Sequence, residues 1–147
     1  MAHILYIHQY FKTPAEGGSI RSWHIAQALL KAGHEVTMLS TWNSPQYACK
    51  QVDGITVHYL PVRYEQAMGS YRRMLSFWRF ARAASRLGKT LTPPDCIYAT
   101  STPLSVGIPA MELSKYWQIP MLFEVRDLWP AAPIALGIIR NPLLKYL

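Results

Sequence analysis

The chain has 147 residues, half of them hydrophobic and 16% charged, a balance that suits one domain with a packed core and excludes a disordered chain. No apolar run approaches the ~18 residues of a membrane span, and the opening "MAHILYIHQYF" does not read as a secretory signal, because it lacks a basic start, a long apolar stretch and a small-residue cleavage site. The formal net charge of +7 directs attention to anionic partners: nucleic acid, phosphorylated substrates or an acidic membrane face.

In chain order, residues 4–8 form a short apolar run that predicts a first strand. After "TPAEGGS", the residues Ile20, Trp23, His24, Ala26, Gln27, Leu29 and Leu30 carry a helical rhythm that "AGHE" stops. Gly33 suits the position just past a helix, since glycine takes a left-handed backbone without steric cost. "EVTMLST" predicts a second buried strand and "GITVHYLPV" a third, with Gly54 closing the turn before it. Between them, "WNSPQYACKQVD" is predicted as a loop, on the strength of Asn43, Ser44 and Pro45. Residues 70–89 return to helical periodicity until "TPPD" breaks it, and "CIYAT" predicts a fourth strand. "PLSVGIPAMELSKYW" predicts a further helix, capped by Ser101 or Thr102 with Pro103 in its first turn. "IPMLFEV" predicts a fifth strand, and the Pro-rich tail opens into another helix-compatible segment that stops at Leu147.

Strands that are apolar throughout and alternate with helices imply a parallel sheet covered on both faces. The simplest doubly wound order is 3-2-1-4-5, with the ligand crevice at the carboxyl ends of the strands near the switch between strands 1 and 4. "HQYFKTPAEGG", "TSTPLS" and "EVRDLWP" emerge there. His8 and Gln9, ending the first strand, are candidates to line that crevice. Cys49 and Cys96 form no CxxC pair and are expected to be buried, reduced thiols of a cytoplasmic protein.

Gly17 and Gly18, between strand and helix, do not form a GxGxxG fingerprint or a GK[ST] loop. They bring backbone N–H groups and the positive end of a helix toward an anion, or they serve only a tight turn; the pattern alone fits both.

Taken together, "GGSIRSWHIAQALLKAGHEVTMLS", "YATSTPL" and "FEVRDLWPAAPIALG" resemble the N-terminal domain of the family-four glycosyltransferases, two-domain enzymes of GT-B architecture. The last motif is most similar to the branch that builds bacterial cell-surface polysaccharides, and "EVRDLWP" is the most specific of the three. The resemblance implies a Rossmann-like α/β domain spanning residues 1–147, incomplete and on the acceptor side, whose donor-binding partner domain is absent from the sequence. It implies transfer of a sugar from a nucleotide-diphosphate sugar to a hydroxyl of a lipid-linked or glycan acceptor, without a metal ion or other cofactor, and no activity from this fragment alone. The competing class is a stand-alone α/β binding module that docks a separate donor-binding chain or anchors a complex at the membrane.

On that resemblance Gly17, Gly18 and Arg21 approach the donor diphosphate, although Arg21 also reads as an ordinary surface arginine. Glu124, Arg126 and Asp127 cluster where the fifth strand ends, as catalytic groups do and as structural ion networks do. Asp127 is the expected contact, and base, for the acceptor hydroxyl; its alternative is to cap the following turn with Arg126 as partner. Arg126 offsets negative charge on the donor or acceptor. Ser101, Thr102, Glu124 and Trp129 are expected on the acceptor side, with Trp129 either stacking on a sugar or packing beside Pro130. The family commonly places a histidine or other polar residue near here, and this chain has Arg-Asp instead.

The basic residues concentrate in "SYRRMLSFWRFARAASRLGK". At about 100° per residue, Arg72, Arg79, Arg82, Arg86 and Lys89 share one arc, adjoining a face of Met74, Phe77, Trp78, Ala81 and Ala84. Such a helix suits contact with an anionic membrane, on the inner face of the cell membrane; alternatively the apolar face packs on the sheet and the arginines are solvated. Nucleic acid is not an expected partner, for there is no helix-turn-helix, zinc or RNA-binding signature.

Overall fold

The computed structural model describes residues 1–18, 20–65, 67–101 and 103–126. Within them, strands β1 (His3–Ile7), β2 (Glu35–Thr41), β3 (Ala48–Val52), β4 (Ile55–Leu60), β5 (Cys96–Thr100) and β6 (Met121–Glu124) alternate with helices α1 (Arg21–Lys31), α2 (Ser70–Gly88) and α3 (Gly107–Trp117). The strands form one sheet in the order β3-β4-β2-β1-β5-β6. All neighbours pair in parallel except β3 and β4, which are antiparallel. The five strands expected from sequence therefore take the expected order, and β3 is added at one edge.

Alternation along the central strands assigns the two faces. Leu5 and Ile7 of β1, with Leu39 of β2, meet Phe80 and Ala84 of α2 and Ala110 and Leu113 of α3 on one side. Tyr6, Val36, Met38, Ile55 and Val57 meet Ala26, Leu29 and Leu30 of α1 on the other. Against the second face, α1 is also held by Trp23 Nε1, which donates to Asp53 Oδ2 at 2.8 Å, and by Gln27 Nε2, which donates to the Asp53 carbonyl at 2.7 Å. Where α2 crosses α3 the helices are very close: a Cβ added to Gly88 would lie 2.4 Å from Leu113 Cδ1.

Two expectations change. The segment read as a loop before the third strand contains β3, which forms a hairpin with β4 through Asp53 and Gly54, at φ 49° and 84°. Asp-Gly is the residue pair that such a two-residue turn prefers, but "ACKQV" is an exposed edge strand with no apolar alternation to announce it. Its Lys50 is the kind of charge that blunts an open edge. Second, Ser101 caps no helix. The segment after β5 enters a short 3-10 turn at Leu104–Val106 before α3, Pro103 precedes that turn, and no side chain caps either helix start. The Ser101 Oγ instead accepts the Arg126 N–H at 2.7 Å. Cys49 lies on the exposed edge strand rather than in the core, and Cys96 is half-buried.

Candidate functional site

The carboxyl ends of β1, β5 and β6 converge on one polar cluster. Parallel register sets Tyr6 beside Tyr98 and Thr100 beside Glu124. Thr100 Oγ1 bonds the Tyr6 hydroxyl at 2.9 Å, and one Glu124 carboxylate oxygen, Oε2, accepts from Thr100 Oγ1 at 3.1 Å and from the Tyr98 hydroxyl at 3.2 Å. Burial pushes both phenols up, Tyr98 further through the Glu124 charge, so they serve as neutral donors. The other oxygen, Glu124 Oε1, pairs with Arg21 Nη2 from the first turn of α1. A backbone bond from Ser101 N to the Glu124 carbonyl at 2.8 Å ties the two strand ends together.

Arg21 is thus tied to the polar cluster through Glu124, although its side chain is 58% exposed against 18% for Glu124. Around it the start of α1 has, among the described residues, no side-chain cap, and no acidic residue of its own in its first turn, so the positive end of the helix dipole is met only by Glu124 from across the sheet. Gly17 and Gly18, on the loop leading in, have φ of 69° and 91°. A Cβ at Gly17 would meet nothing within 4 Å, and one at Gly18 only the Lys12 side chain at 3.8 Å. The glycines are required by backbone conformation, and among the described residues nothing crowds the space beside them.

His8 is buried and lines neither cavity found among the described residues. It is 2% exposed, its Nδ1 bonds Ser22 Oγ at 2.9 Å, and burial, assisted by the Arg126 charge, lowers its imidazole to about 4. A neutral ring therefore braces the first turn of α1. Gln9 is also fully buried, and its carbonyl accepts from Ser40 Oγ and Thr41 Oγ1 at 3.0 and 2.9 Å. Ser101, likewise buried, is occupied in holding Arg126. The Arg126 backbone is fixed there while its side chain is exposed. Thr102, Asp127 and Trp129 lie outside the described residues, as does the helix-compatible tail.

On the far side of the glycine loop lies a cleft of about 980 Å³ that the sequence did not announce. The loop, from Tyr10 to Gly18, makes one wall, and Trp42, Lys50, Tyr59 and Tyr64 make the other. Trp42 stacks on Tyr59 with centroids 5.2 Å apart, Lys50 Nζ sits 4.6 Å from the Trp42 ring centre, and Tyr10 meets Tyr64 at 4.4 Å. The one available signal was the cluster of aromatics at the ends of β2 and β4, but only the hairpin that raises β3 turns them into a wall. Among the described residues, no three His, Cys, Asp or Glu side chains gather as a metal site, and no helix is long and apolar enough to cross a membrane.

Two solved structures of the C-terminal domain of a hydrogenase from Pyrococcus furiosus superpose on this chain with TM-scores of 0.60 and 0.57. Each is 20% identical and covers 84% of this chain and 91% of its own; at that identity the likeness is one of fold. No curated protein matches the sequence. The family described as "Glycosyl transferase 4-like domain" matches residues 16–144, which take in Gly17 and Gly18, α1, the hairpin and the ends of β5 and β6, and leave out β1. With that match over most of its length, the chain belongs to the glycosyl transferase 4-like domain family.

Proposed function

We propose that the protein transfers a sugar from a nucleotide diphosphate to a hydroxyl group of a lipid-linked or glycan acceptor, in the building of a bacterial cell-surface polysaccharide. The observation that carries this reading is the meeting of the Arg21–Glu124 pair with the uncapped start of α1 and the glycine loop, at the carboxyl ends of the central strands. Negative charge grows on the departing diphosphate as the sugar takes on oxocarbenium character, and fixed positive groups at that point lower the barrier. Arg21 exchanges its carboxylate partner for a phosphate oxygen, while Gly17 and Gly18 keep side chains away from the backbone amides. Asp127 accepts the acceptor's proton, Arg126 offsets charge beside it, and Thr102, Glu124 and Trp129 complete the acceptor side. The rest of the donor is held by a second domain, and no metal ion takes part.

The aromatic cleft supports an acceptor of sugar character, since ring faces and a few polar groups are what such ligands require. The exposed Arg72, Arg79, Arg82 and Arg86 on α2 support peripheral contact with the anionic inner face of the cell membrane, where a lipid-linked acceptor resides.

The test is sugar transfer by the full-length protein, with uridine and guanosine diphosphate sugars as donors and a polyprenyl-linked sugar as acceptor. Arg21→Ala and Asp127→Ala are each expected to remove most turnover with an unchanged circular dichroism spectrum. Near-normal turnover in both would strip these residues of their roles, and an absence of transfer with every donor would return the protein to the class of binding modules.

A further inference from the structure

On the outer side of the sheet's other face, a groove of about 420 Å³ runs between α2 and α3. Arg82, Arg86 and Lys89 edge it along α2, Trp78 and Ile108 close its upper end, and Ser85 lies on its floor. Among the described residues, one carboxylate faces these three cations: Glu112, 3.7 Å from Lys89 Nζ. The groove remains net positive. Ser85 is 5% exposed; its hydroxyl lies toward Glu112 and helps hold that carboxyl below its usual range, but among the described residues its oxygen completes no hydrogen bond of full geometry. A hydroxyl so loosely held by its carboxylate neighbour keeps its proton available to a better-placed acceptor.

The rim is apolar. Sequence periodicity placed Met74 and Trp78 on one face with Phe77, Ala81 and Ala84, but the structure divides that face. Ala81 and Ala84 are buried and Phe77 half-buried, whereas Met74 is 67% and Trp78 55% exposed, beside Ile108 at 46%. The division follows from helix length: α2 has 19 residues and α3 has 11, and with Gly88 level with Leu113 the first half of α2 projects past the start of α3. Arg82 lies over the Trp78 ring, 5.3 Å from its centre, so cation and apolar ring present themselves together.

We propose that this groove receives the headgroup phosphate of an anionic phospholipid, with Arg82, Arg86 and Lys89 around its oxygens, Ser85 donating its hydroxyl, and Met74, Trp78 and Ile108 lodged among the glycerol and upper acyl carbons. The inference rests on the reading that the enzyme works at a membrane, and it goes further in assigning the contact to one groove instead of a diffuse basic surface. A lipid matches the surface better than a soluble phosphate does, because the cations alternate with exposed apolar side chains as they do in helices lying in a bilayer interface.

The experiment is sedimentation of the full-length protein with phosphatidylcholine vesicles, with and without phosphatidylglycerol. Two double variants remove equal charge from α2: Arg82→Gln with Arg86→Gln inside the groove, and Arg72→Gln with Arg79→Gln outside it. Each basic residue near an anionic bilayer contributes about fivefold in affinity, so diffuse attraction predicts an equal loss of about 25-fold for the two pairs. The groove predicts a loss at least about tenfold greater for the Arg82–Arg86 pair, since charge-assisted hydrogen bonds are lost as well. Trp78→Ser and Ser85→Ala are expected to weaken binding at unchanged net charge and unchanged circular dichroism. Equal losses from the two pairs, with Trp78→Ser and Ser85→Ala silent, would overturn the groove and leave the membrane reading standing. Failure of the unmodified protein to bind phosphatidylglycerol vesicles would overturn both.

Discussion

Arg21, on the first turn of α1, and Glu124, the last residue of β6, are 103 positions apart in sequence and share an ion pair. The two ends of the pair are not equally committed. Glu124 is the less exposed partner and has a second oxygen fixed by Thr100 and Tyr98, whereas Arg21 is more than half exposed. Arg21 is therefore the partner able to leave.

Its removal should separate stability from function. A solvent-screened pair contributes no more than about 1 kcal/mol, so Arg21→Ala is expected to change unfolding free energy by less than that. Loss of a charged contact to the diphosphate is expected to lower kcat/KM for the donor by about 10- to 100-fold. Urea unfolding and steady-state kinetics on the same variant decide the matter. A loss of several kcal/mol, with activity falling in step, would make the pair structural.

His8 gives a pH dependence of definite sign. Burial lowers its folded value to about 4 from an ordinary 6.5. Between those values the unfolded chain binds the proton and the folded protein does not, so this contribution to stability is fully present above about pH 6.5 and is lost as the pH falls toward 4. The shift corresponds to roughly 3 kcal/mol. His8→Gln should flatten the difference in unfolding free energy across that window relative to the unmodified protein; parallel curves would show that the imidazole is not held neutral.

The glycine loop allows a test of turn against ligand. Gly18, at φ 91°, adopts a backbone that costs an L-residue about 1–2 kcal/mol, while among the described residues a Cβ there would meet only the Lys12 side chain, at an ordinary contact distance. Because the loop is exposed, Gly18→Ala is expected to leave the melting temperature within a few degrees and to raise the donor KM severalfold. A lowered melting temperature with unchanged KM would assign the glycine to the turn alone.

Gly88→Ala tests the packing that sets α2 against α3. The added methyl group would overlap buried Leu113, and overpacking of this kind costs about 1–3 kcal/mol. That exceeds the ~1 kcal/mol an alanine gains over glycine in a helix, so a net loss of stability is expected in chemical denaturation. A neutral or stabilised variant would show that Leu113 repacks freely.

Much of the fold was legible in the sequence because periodicity is local. Apolar runs such as "ILYIH" and "EVTMLST" mark strands buried on both faces, the spacing from Ile20 to Leu30 marks a helix with one apolar side, and Gly33, at φ 83°, marks where that helix ends. The edge strand β3 was not legible, since an exposed strand lacks the apolar pattern that reveals a buried one. For α2, periodicity identified the basic arc, but it could not say that Ala84 would pack with α3 and that Trp78 would be left open.

Sequence alone thus determined the strand order, because apolar strands alternating with helices leave few ways to cover both faces of a sheet. It also marked candidates for the site, in that the glycines, Arg21 and Glu124 stand at strand ends and helix starts. Tertiary structure decided which of them meet. The pairing of Arg21 with Glu124, the employment of Ser101 as a strap for Arg126, the neutral brace of His8 and the aromatic wall of Trp42 and Tyr59 all depend on contacts between distant segments. A local pattern specifies the face a residue occupies, and only the packed sheet brings its partner to that face.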